Sequence, residues 1–241
     1  MNNKFLRAEM LLGSDAMQKL QNSHVAVLGL GGVGSWCAEA LARSGIGTLT
    51  LVDEDTVSET NINRQLIATS ATVGLDKSEA MARRILEISP ETVVRPLRAR
   101  YEAANREDFF SVNYDYIVDA IDLVACKVDL IKTARERNIP IISALGTGNK
   151  TDASQLQIAD ISKTYGCALA RVVRKELRKI GIEHHAVVFS PEEPLEPEQY
   201  EAPPPGRRSV PGSLVWVPAS AGMLLAQHVV LELTKSAGAV E

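Results

Sequence analysis

Residues 24–34 read His24-Val-Ala-Val-Leu-Gly29-Leu-Gly31-Gly32-Val-Gly34, and this stretch decides the fold of the chain. Its apolar first half has the length of a buried strand, and the glycines that follow match the pattern G-x-G-x-x-G. A helical stretch comes next, over about residues 33–43, and a second apolar run over 47–53 ends in Asp53. This order predicts a strand, a glycine loop that lets the backbone approach a phosphate group, a helix and a second strand.

The same alternation continues outward along the chain. Further helices are predicted at 76–89 and 123–137, and further strands at 92–98, 114–120 and 139–144. Because strands separated by helices pair in parallel with right-handed crossovers, the pattern predicts an α/β fold with a doubly wound, largely parallel sheet. Residues 155–160 then alternate with period two and precede a helix at 166–181, which predicts a mixed C-terminal extension of that sheet.

The length of 241 residues favours one large domain over two. We divide it into an N-terminal amphipathic helix (1–22), a nucleotide-binding core (24–145) and a substrate-side extension (146–241). Seven of the eleven prolines fall within residues 191–211, which therefore form an extended loop. A mobile lid that contacts the substrate is one role for this loop.

Composition excludes several classes of protein. Three cysteines without a C-x-x-C pair argue against a disulfide framework and against a structural zinc site, and they favour the cytoplasm. The N-terminus lacks the pattern of a secretory signal. Residues 214–233 are largely apolar but carry Pro218 and Glu232, so they predict a buried helix and not a membrane span.

Charged residues beyond the glycine loop bear on the choice of cofactor. Asp53 stands 19 residues after Gly34, where a carboxylate binds a ribose diol. The loop and Asp53 alone leave a nicotinamide or flavin dinucleotide open. Arg64 and Lys77 favour ATP, because a triphosphate carries about four negative charges and needs cationic side chains in addition to backbone amides.

The motif Asp119-Ala-Ile-Asp122 ends the predicted fourth strand. Ligands of doubly wound folds bind at the carboxyl edge of the sheet, so these carboxylates can hold Mg²⁺ against the phosphates of ATP. Of the two, Asp122 is the preferred metal residue.

Together these motifs resemble the adenylation domain of ubiquitin-activating enzymes and related bacterial adenylyltransferases. The resemblance covers residues 24–145, and it rests on GxGGxGS (29–35), LVDxDxV (51–57), NxNRQ (61–65), the lysine at 77 and DAxD (119–122). It implies that the following residues bind ATP: Gly29, Gly31, Gly32, Gly34, Asp53, Asp55, Asn61, Arg64, Gln65 and Lys77. It assigns catalytic roles to Arg64, Lys77 and Asp122, and to Arg7, which the helix of one subunit sends into the ATP site of its homodimer partner.

The chain after residue 140 resembles one branch of that superfamily. The segments 140–164 and 211–222 are similar to the tRNA threonylcarbamoyladenosine dehydratases, whereas the zinc cysteines typical of enzymes that activate sulfur-carrier proteins are absent. The resemblance implies adenylation of the threonylcarbamoyl carboxylate at position 37 of tRNA, followed by dehydration. Three alternatives stay open: a sulfur-carrier adenylyltransferase, a nucleotide-sensing scaffold and a dinucleotide oxidoreductase.

A tRNA substrate requires a cationic surface, although the net charge of the chain is −4. The spacing i, i+3, i+4, i+7, i+8 places five basic residues on one face of a helix, with Val172, Val173, Leu177 and Ile180 on the other. The five are Arg171, Arg174, Lys175, Arg178 and Lys179. We expect this basic stripe to contact tRNA phosphates, and the alternative is a solvated helix face.

Other candidate residues complete the sequence hypotheses. Cys37 is interpreted as a packing residue, and Cys126 and Cys167 are weighed as thioester or sulfur-relay residues. His184 and His185 are interpreted as structural. A further three residues, Gly146, Gly148 and Asn149, are candidates for lining the substrate or a monovalent cation. The docking of a sulfur-transfer partner protein stays open.

Overall fold

The structure is a computed structural model that describes residues 3–200 and 210–235. Within these residues, seven strands form one sheet: β1 (His24–Leu28), β2 (Thr48–Val52), β3 (Val93–Leu97), β4 (Tyr116–Asp119), β5 (Ile141–Ala144), β6 (Gln157–Asp160) and β7 (Ala186–Phe189). The α-helices of the described part are α1 (Leu6–Leu12), α2 (Ser14–Asn22), α3 (Gly34–Arg43), α4 (Lys77–Ile88), α5 (Arg106–Phe109), α6 (Val124–Glu136), α7 (Ala168–Lys179) and α8 (Trp216–Thr234).

The strand order is β3-β2-β1-β4-β5-β7-β6, and every neighbouring pair is parallel except β6 with β7. Because the order reverses between β1 and β4, the carboxyl ends of these two strands form the crevice at which doubly wound sheets bind ligands. The predicted doubly wound sheet with a mixed C-terminal extension is confirmed.

The sheet is buried on both faces. In β1, Val25 and Val27 pack with α2, α3, α4 and α8, whereas Ala26 and Leu28 pack with α5, α6 and α7. All four residues are at most 3% exposed. A strand buried on both sides has to be apolar throughout, which explains why residues 25–28 lack the polar alternation of a half-buried strand.

The N-terminal segment corrects one prediction. The single helix expected over residues 1–22 is two helices, α1 and α2, separated by Gly13. Gly13 has φ +85°, a left-handed conformation that interrupts a right-handed helix and that glycine adopts without strain. Helix α1 buries none of its residues, and Met10 and Leu11 are exposed.

The buried helix that the sequence predicted over residues 214–233 is confirmed as α8, which packs against α3. Gly222 makes this packing close, because a Cβ atom there would lie 2.5 Å from the carbonyl oxygen of Val33. Among the described helices, none combines the length and the apolar character that crossing a lipid bilayer requires. Of the predicted proline-rich loop, residues 201–209 lie outside the described residues.

Candidate active site

The glycine loop joins β1 to α3 at the carboxyl edge of the sheet. Gly29 has φ +92°, and a Cβ atom on it would lie 2.5 Å from the carbonyl oxygen of Ala120. A Cβ atom on Gly34 would lie 1.7 Å from the carbonyl oxygen of Gly29, so the turn admits only glycine at these two positions. At Gly31 the nearest atom would be 3.9 Å away, at Gln65 Nε2. The loop therefore leaves open space above Gly31 at the N-terminus of α3.

Asp53 fixes the glycine loop to the end of β2. Its carboxylate accepts hydrogen bonds from the backbone N–H of Leu30 (2.7 Å) and of Asp55 (2.9 Å). Burial raises the pKa of Asp53 above its ordinary value, although the neighbouring Lys77 and the two N–H donors oppose the change. Asp53, the residue predicted to bind the ribose, thus lies against the glycine loop, although part of its hydrogen-bonding capacity already serves the fold.

Lys77 is the first residue of α4, and only 5% of its surface is exposed. Its ammonium group lies 2.8 Å from Asp55 Oδ2 and 3.9 Å from Asp53 Oδ1. The Asp55 side chain is largely exposed, so the buried ammonium group of Lys77 pairs with a carboxylate that contacts solvent. The structure thereby brings together three of the predicted ATP-binding residues.

Arg64 and Gln65 follow a short 3-10 turn (Glu59–Asn61) on the other side of the loop. The Arg64 guanidinium donates to the Thr60 carbonyl (2.8 Å) and to Asn63 Oδ1 (3.0 Å), and a Cβ atom on Gly32 would lie 3.5 Å from Arg64 Cγ. Gln65 is buried, and its Oε1 atom has no hydrogen-bond partner among residues 3–200 and 210–235. Buried acceptors are normally hydrogen-bonded, and a bound ligand that donates a hydrogen bond next to Gly31 would satisfy this one.

Asn61 serves the turn that carries Arg64. It is buried, and its Oδ1 accepts a hydrogen bond from the backbone N–H of Ser58 (3.1 Å). Its amide nitrogen is the part that remains for the predicted contact with ATP.

The two aspartates of the 119–122 motif have different environments. Asp119 is fully buried, and its Oδ2 accepts from the Lys127 ammonium (2.7 Å) and the Ser143 hydroxyl (2.6 Å). It is therefore not available to a metal ion. Asp122 is exposed beyond the end of β4, which agrees with its preference as the metal residue. No group of three metal-ligating side chains occurs in the described part of the chain.

The network around Asp119 extends to His185, and the sequence did not predict it. Ser143 Oγ lies 2.8 Å from His185 Nε2, and the Lys127 ammonium also donates to the Ala144 carbonyl (3.0 Å). Burial and the nearby Lys127 lower the pKa of His185 to about 3. His185 is therefore neutral and agrees with its interpretation as structural. In the sequence, the apolar residues around Lys127 on α6 were the one available signal that this lysine is buried.

Arg7 is the one predicted catalytic residue that the fold keeps away from the loop. It is exposed on α1, next to Phe5, whose ring packs near Gly45 before the start of β2. That contact lies at the amino edge of the sheet, whereas the glycine loop lies at the carboxyl edge. Within one chain the two do not meet.

The five predicted cations of α7 line one groove of about 450 Å³. Arg174 also donates to the Thr164 carbonyl (2.8 Å), and Lys179 pairs with Glu176, so these two are partly engaged within the chain. The predicted apolar face needs a correction. Val173 and Leu177 are buried together with Ala170, but Val172 and Ile180 are more than 40% exposed because they lie at the margins of the contact face.

The three cysteines are buried free thiols. Burial raises the pKa of Cys37 and of Cys126, which makes both less nucleophilic. Cys167 caps α7, with its sulfur 3.4 Å from the Ala170 backbone nitrogen. The sulfur-relay role of Cys126 and Cys167 remains a prediction.

Two of the residues proposed to line a substrate or monovalent-cation site, Gly148 and Asn149, contact the backbone or ring of other loop residues. The side-chain oxygen of Asn149 accepts from the Gly212 N–H (2.6 Å), and its carbonyl accepts from the Leu195 N–H (2.8 Å). A Cβ atom on Gly148 would lie 3.0 Å from Pro211 Cβ. These residues meet the two ends of the proline-rich loop.

The geometry agrees with a comparison to known proteins. The ThiF family profile matches residues 5–238, nearly the whole chain. The chain belongs to the ThiF family. The resemblance to adenylating enzymes that residues 24–145 carry is thereby confirmed.

Relatives of this ThiF-family chain share most of its length. It is 45% identical over 244 residues to the tRNA threonylcarbamoyladenosine dehydratase of Bacillus subtilis, covering 98% of this chain and 96% of the relative. Its fold matches the crystal structure of the Escherichia coli tRNA N6-threonylcarbamoyladenosine dehydratase in complex with ATP, with a TM-score of 0.86, 37% identity and coverage of 96% and 93%.

An adenylyltransferase relative matches less of the chain. The Escherichia coli molybdopterin-synthase adenylyltransferase is 30% identical over 153 residues, covering 64% of this chain and 61% of the relative. The similarity beyond the nucleotide-binding core therefore favours the dehydratase branch.

Proposed function

We propose that this ThiF-family chain is an ATP-dependent tRNA threonylcarbamoyladenosine dehydratase. The observation that carries the proposal is the near-full-length similarity to the Bacillus subtilis enzyme, joined to a glycine loop flanked by Lys77 and Arg64. The substrate is the threonylcarbamoyl carboxylate of the modified adenosine at position 37 of tRNA. A tRNA substrate also implies that the enzyme acts in the cytoplasm, in line with its free cysteines.

ATP binding uses the residues around the loop. The phosphates lie over Gly31 and Gly32 at the N-terminus of α3, where free N–H groups and the helix dipole favour anions. Lys77 and Arg64 balance the triphosphate charge, Asp53 accepts from the ribose, and Gln65 Oε1 accepts from a hydroxyl or amino group of the nucleoside. Asp122 fits a magnesium ion shared with the phosphates, since Mg²⁺ commonly takes one or two protein carboxylates.

The reaction then needs no nucleophile from the enzyme. A carboxylate oxygen of the substrate attacks the α-phosphorus of ATP, and pyrophosphate leaves. An atom already tethered on the modified base attacks the activated carbonyl carbon, AMP departs with the former carboxylate oxygen, and the product has lost one water. Proximity within the substrate drives the second step, and the cationic clamps stabilise charge in the first.

The active assembly is a homodimer in which Arg7 of one subunit completes the ATP site of the other. The position of Arg7 at the edge of the sheet opposite the glycine loop supports its action in trans. The unburied helix α1 supports a contact with a second copy. The groove of α7 receives tRNA phosphates.

One measurement tests the function against its alternatives. ATP–pyrophosphate exchange and AMP release are followed with tRNA that bears threonylcarbamoyladenosine, with the same tRNA lacking the modification, with a sulfur-carrier protein, and without substrate. We expect AMP release only with the modified tRNA. Exchange only with the carrier protein would identify a sulfur-carrier adenylyltransferase, and ATP binding without exchange or release in any sample would identify a nucleotide-sensing scaffold.

A further inference from the structure

Asn149, five residues after the end of β5, holds both ends of the proline-rich loop. Its carbonyl accepts from the Leu195 N–H at 2.8 Å, on the incoming side of the loop. On the outgoing side, Asn149 and Gly212 exchange two hydrogen bonds: Asn149 N–H to the Gly212 carbonyl (2.8 Å), and Gly212 N–H to Asn149 Oδ1 (2.6 Å). One residue thus joins two segments that lie 17 positions apart.

The residues after Asn149 reinforce the same junction. The buried Lys150 donates to the Ser190 carbonyl at 2.5 Å. Thr151 donates its N–H to Glu192 Oε1 (2.8 Å), and its carbonyl accepts from Trp216 Nε1 (2.7 Å). The start of the loop and the start of α8 are therefore both attached to residues 149–151.

A second connection leads from this junction to the ATP site. Ser213, next to Gly212, accepts a hydrogen bond at its carbonyl from Asn63 Nδ2 (2.9 Å). The other atom of the same amide, Asn63 Oδ1, accepts from Arg64 Nη1 (3.0 Å). An unbroken series of contacts consequently runs from Asn149 through Gly212, Ser213 and Asn63 to Arg64.

The backbone conformation at position 149 explains why an asparagine occupies it. Its φ is +60°, in the left-handed region that asparagine tolerates better than most side chains. Glycine would accept this backbone but would lose the side-chain acceptor for Gly212. Aspartate would keep an acceptor oxygen. Position 149 thus combines a conformational demand with a hydrogen-bonding demand.

We propose that Asn149 is a positioning residue that holds residues 212–213 against Asn63 and so orients Arg64 toward the phosphates of ATP. This proposal rests on the assignment of Arg64 to the ATP site. It gives residue 149 a role in nucleotide binding, although it lies outside the nucleotide-binding core of residues 24–145.

Nucleotide affinity tests the proposal separately from the reaction. The dissociation constant of ATP is measured by calorimetry for the full-length protein and for the variants Asn149→Gly, Asn149→Asp and Asn63→Ala. We expect Asn149→Gly to weaken ATP binding by roughly three- to tenfold, the range that one lost hydrogen bond covers. Asn149→Asp should restore much of the affinity. The measurement needs no tRNA, so a failure of the proposed substrate leaves it intact.

The matched control is Asn138→Gly. Asn138 also has a left-handed backbone, with φ 56°, but it is exposed in the turn after α6 at the other edge of the sheet. It should leave ATP affinity unchanged. Thermal unfolding of each variant shows whether the protein is folded at the temperature of the titration.

A double-mutant cycle decides whether Asn149 acts through Asn63. If it does, Asn149→Gly combined with Asn63→Ala weakens ATP binding less than the product of the two single effects. Independent effects would overturn the connection between the two residues. Unchanged ATP affinity in Asn149→Gly, with or without a loss of thermal stability, would reduce Asn149 to an anchor of the loop and overturn the proposal.

Discussion

At the scale of single residues, Lys77 is a buried ammonium group with two carboxylates beside it, those of Asp55 and Asp53. The Asp55 carboxylate at 2.8 Å is largely exposed and lies in the segment that the resemblance assigns to ATP. A buried ammonium at the N-terminus of α4 keeps two further donors for phosphate oxygens. Its position depends on β2, on the turn after it and on α4 together.

Lys77→Ala should lower the rate of AMP formation by roughly a hundredfold or more, because a fixed donor to developing charge is lost. The control is Lys132→Ala, since Lys132 forms an exposed i,i+4 pair with Glu136 on α6. AMP is quantified by chromatography after incubation with modified tRNA. Equal rates in the two variants would remove Lys77 from the catalytic set.

The lowered pKa of His185 predicts how the free energy of unfolding depends on pH. Its pKa is lowered to about 3 in the folded chain, against about 6.5 in the unfolded chain. The stability that the neutral ring contributes is therefore complete above pH 6.5 and is lost as the pH falls toward 3. This group alone should lower the free energy of unfolding by roughly 1.4 kcal/mol per pH unit within that window.

The measurement is urea unfolding between pH 7 and pH 4.5. His185→Gln keeps a polar group next to Ser143 but removes the titration, so its stability should fall less steeply with decreasing pH. His184→Gln changes the exposed neighbour, which pairs with Asp160, and should alter the slope less than His185→Gln does. A wild-type slope in His185→Gln would contradict the assignment.

At the scale of elements, α7 has a buried face of Ala170, Val173 and Leu177 and a cationic groove on the outside. The groove lies on the same side of the sheet as α6. Arg171 and Lys175, one turn apart, are less engaged within the chain than Arg174 and Lys179. Charge reversal at these two residues is therefore the sharper test of tRNA binding.

The double variant Arg171→Glu/Lys175→Glu should weaken tRNA binding by more than tenfold at low salt and leave ATP affinity unchanged, because each phosphate contact adds to the salt-dependent electrostatic term. The control, Lys19→Glu/Arg83→Glu, makes the same change in net charge on exposed positions of α2 and α4. Binding is measured by filter retention at two salt concentrations. An equal loss in both variants would assign the effect to net charge alone.

At the scale of the whole molecule, the separation of Arg7 from the glycine loop makes a prediction about assembly. If Arg7 completes the site of the partner, Arg7→Ala and Lys77→Ala homodimers are both inactive. A mixed dimer of the two variants contains one site with both residues intact. Unfolding and refolding an equal mixture should then restore about a quarter of the wild-type activity, since half the dimers are mixed and half of their sites are complete.

Each variant refolded alone is the control for this mixing experiment. Size-exclusion chromatography with light scattering gives the oligomeric state of each sample. Activity that stays at the level of the separate variants would mean that Arg7 does not act in trans. An active monomer would exclude the dimeric site altogether.

The sequence by itself determined the doubly wound sheet, the position of the glycine loop and the group of Asp53, Arg64 and Lys77. These features follow from local rules: apolar runs buried on both faces, glycines at a strand-to-helix turn, and parallel strands whose carboxyl ends meet at one edge. The break at Gly13 escaped those rules, because the helical periodicity of residues 1–22 continues across it.

Only the tertiary structure decided how side chains far apart in the chain are used. Asp119 and Asp122 stand in one short motif, yet one is buried against Lys127 and Ser143 and the other is exposed. Asn149 reaches Arg64 through Gly212 and Ser213, across more than 60 positions of sequence. Such roles depend on distances between strands and loops, which packing sets and local periodicity does not record.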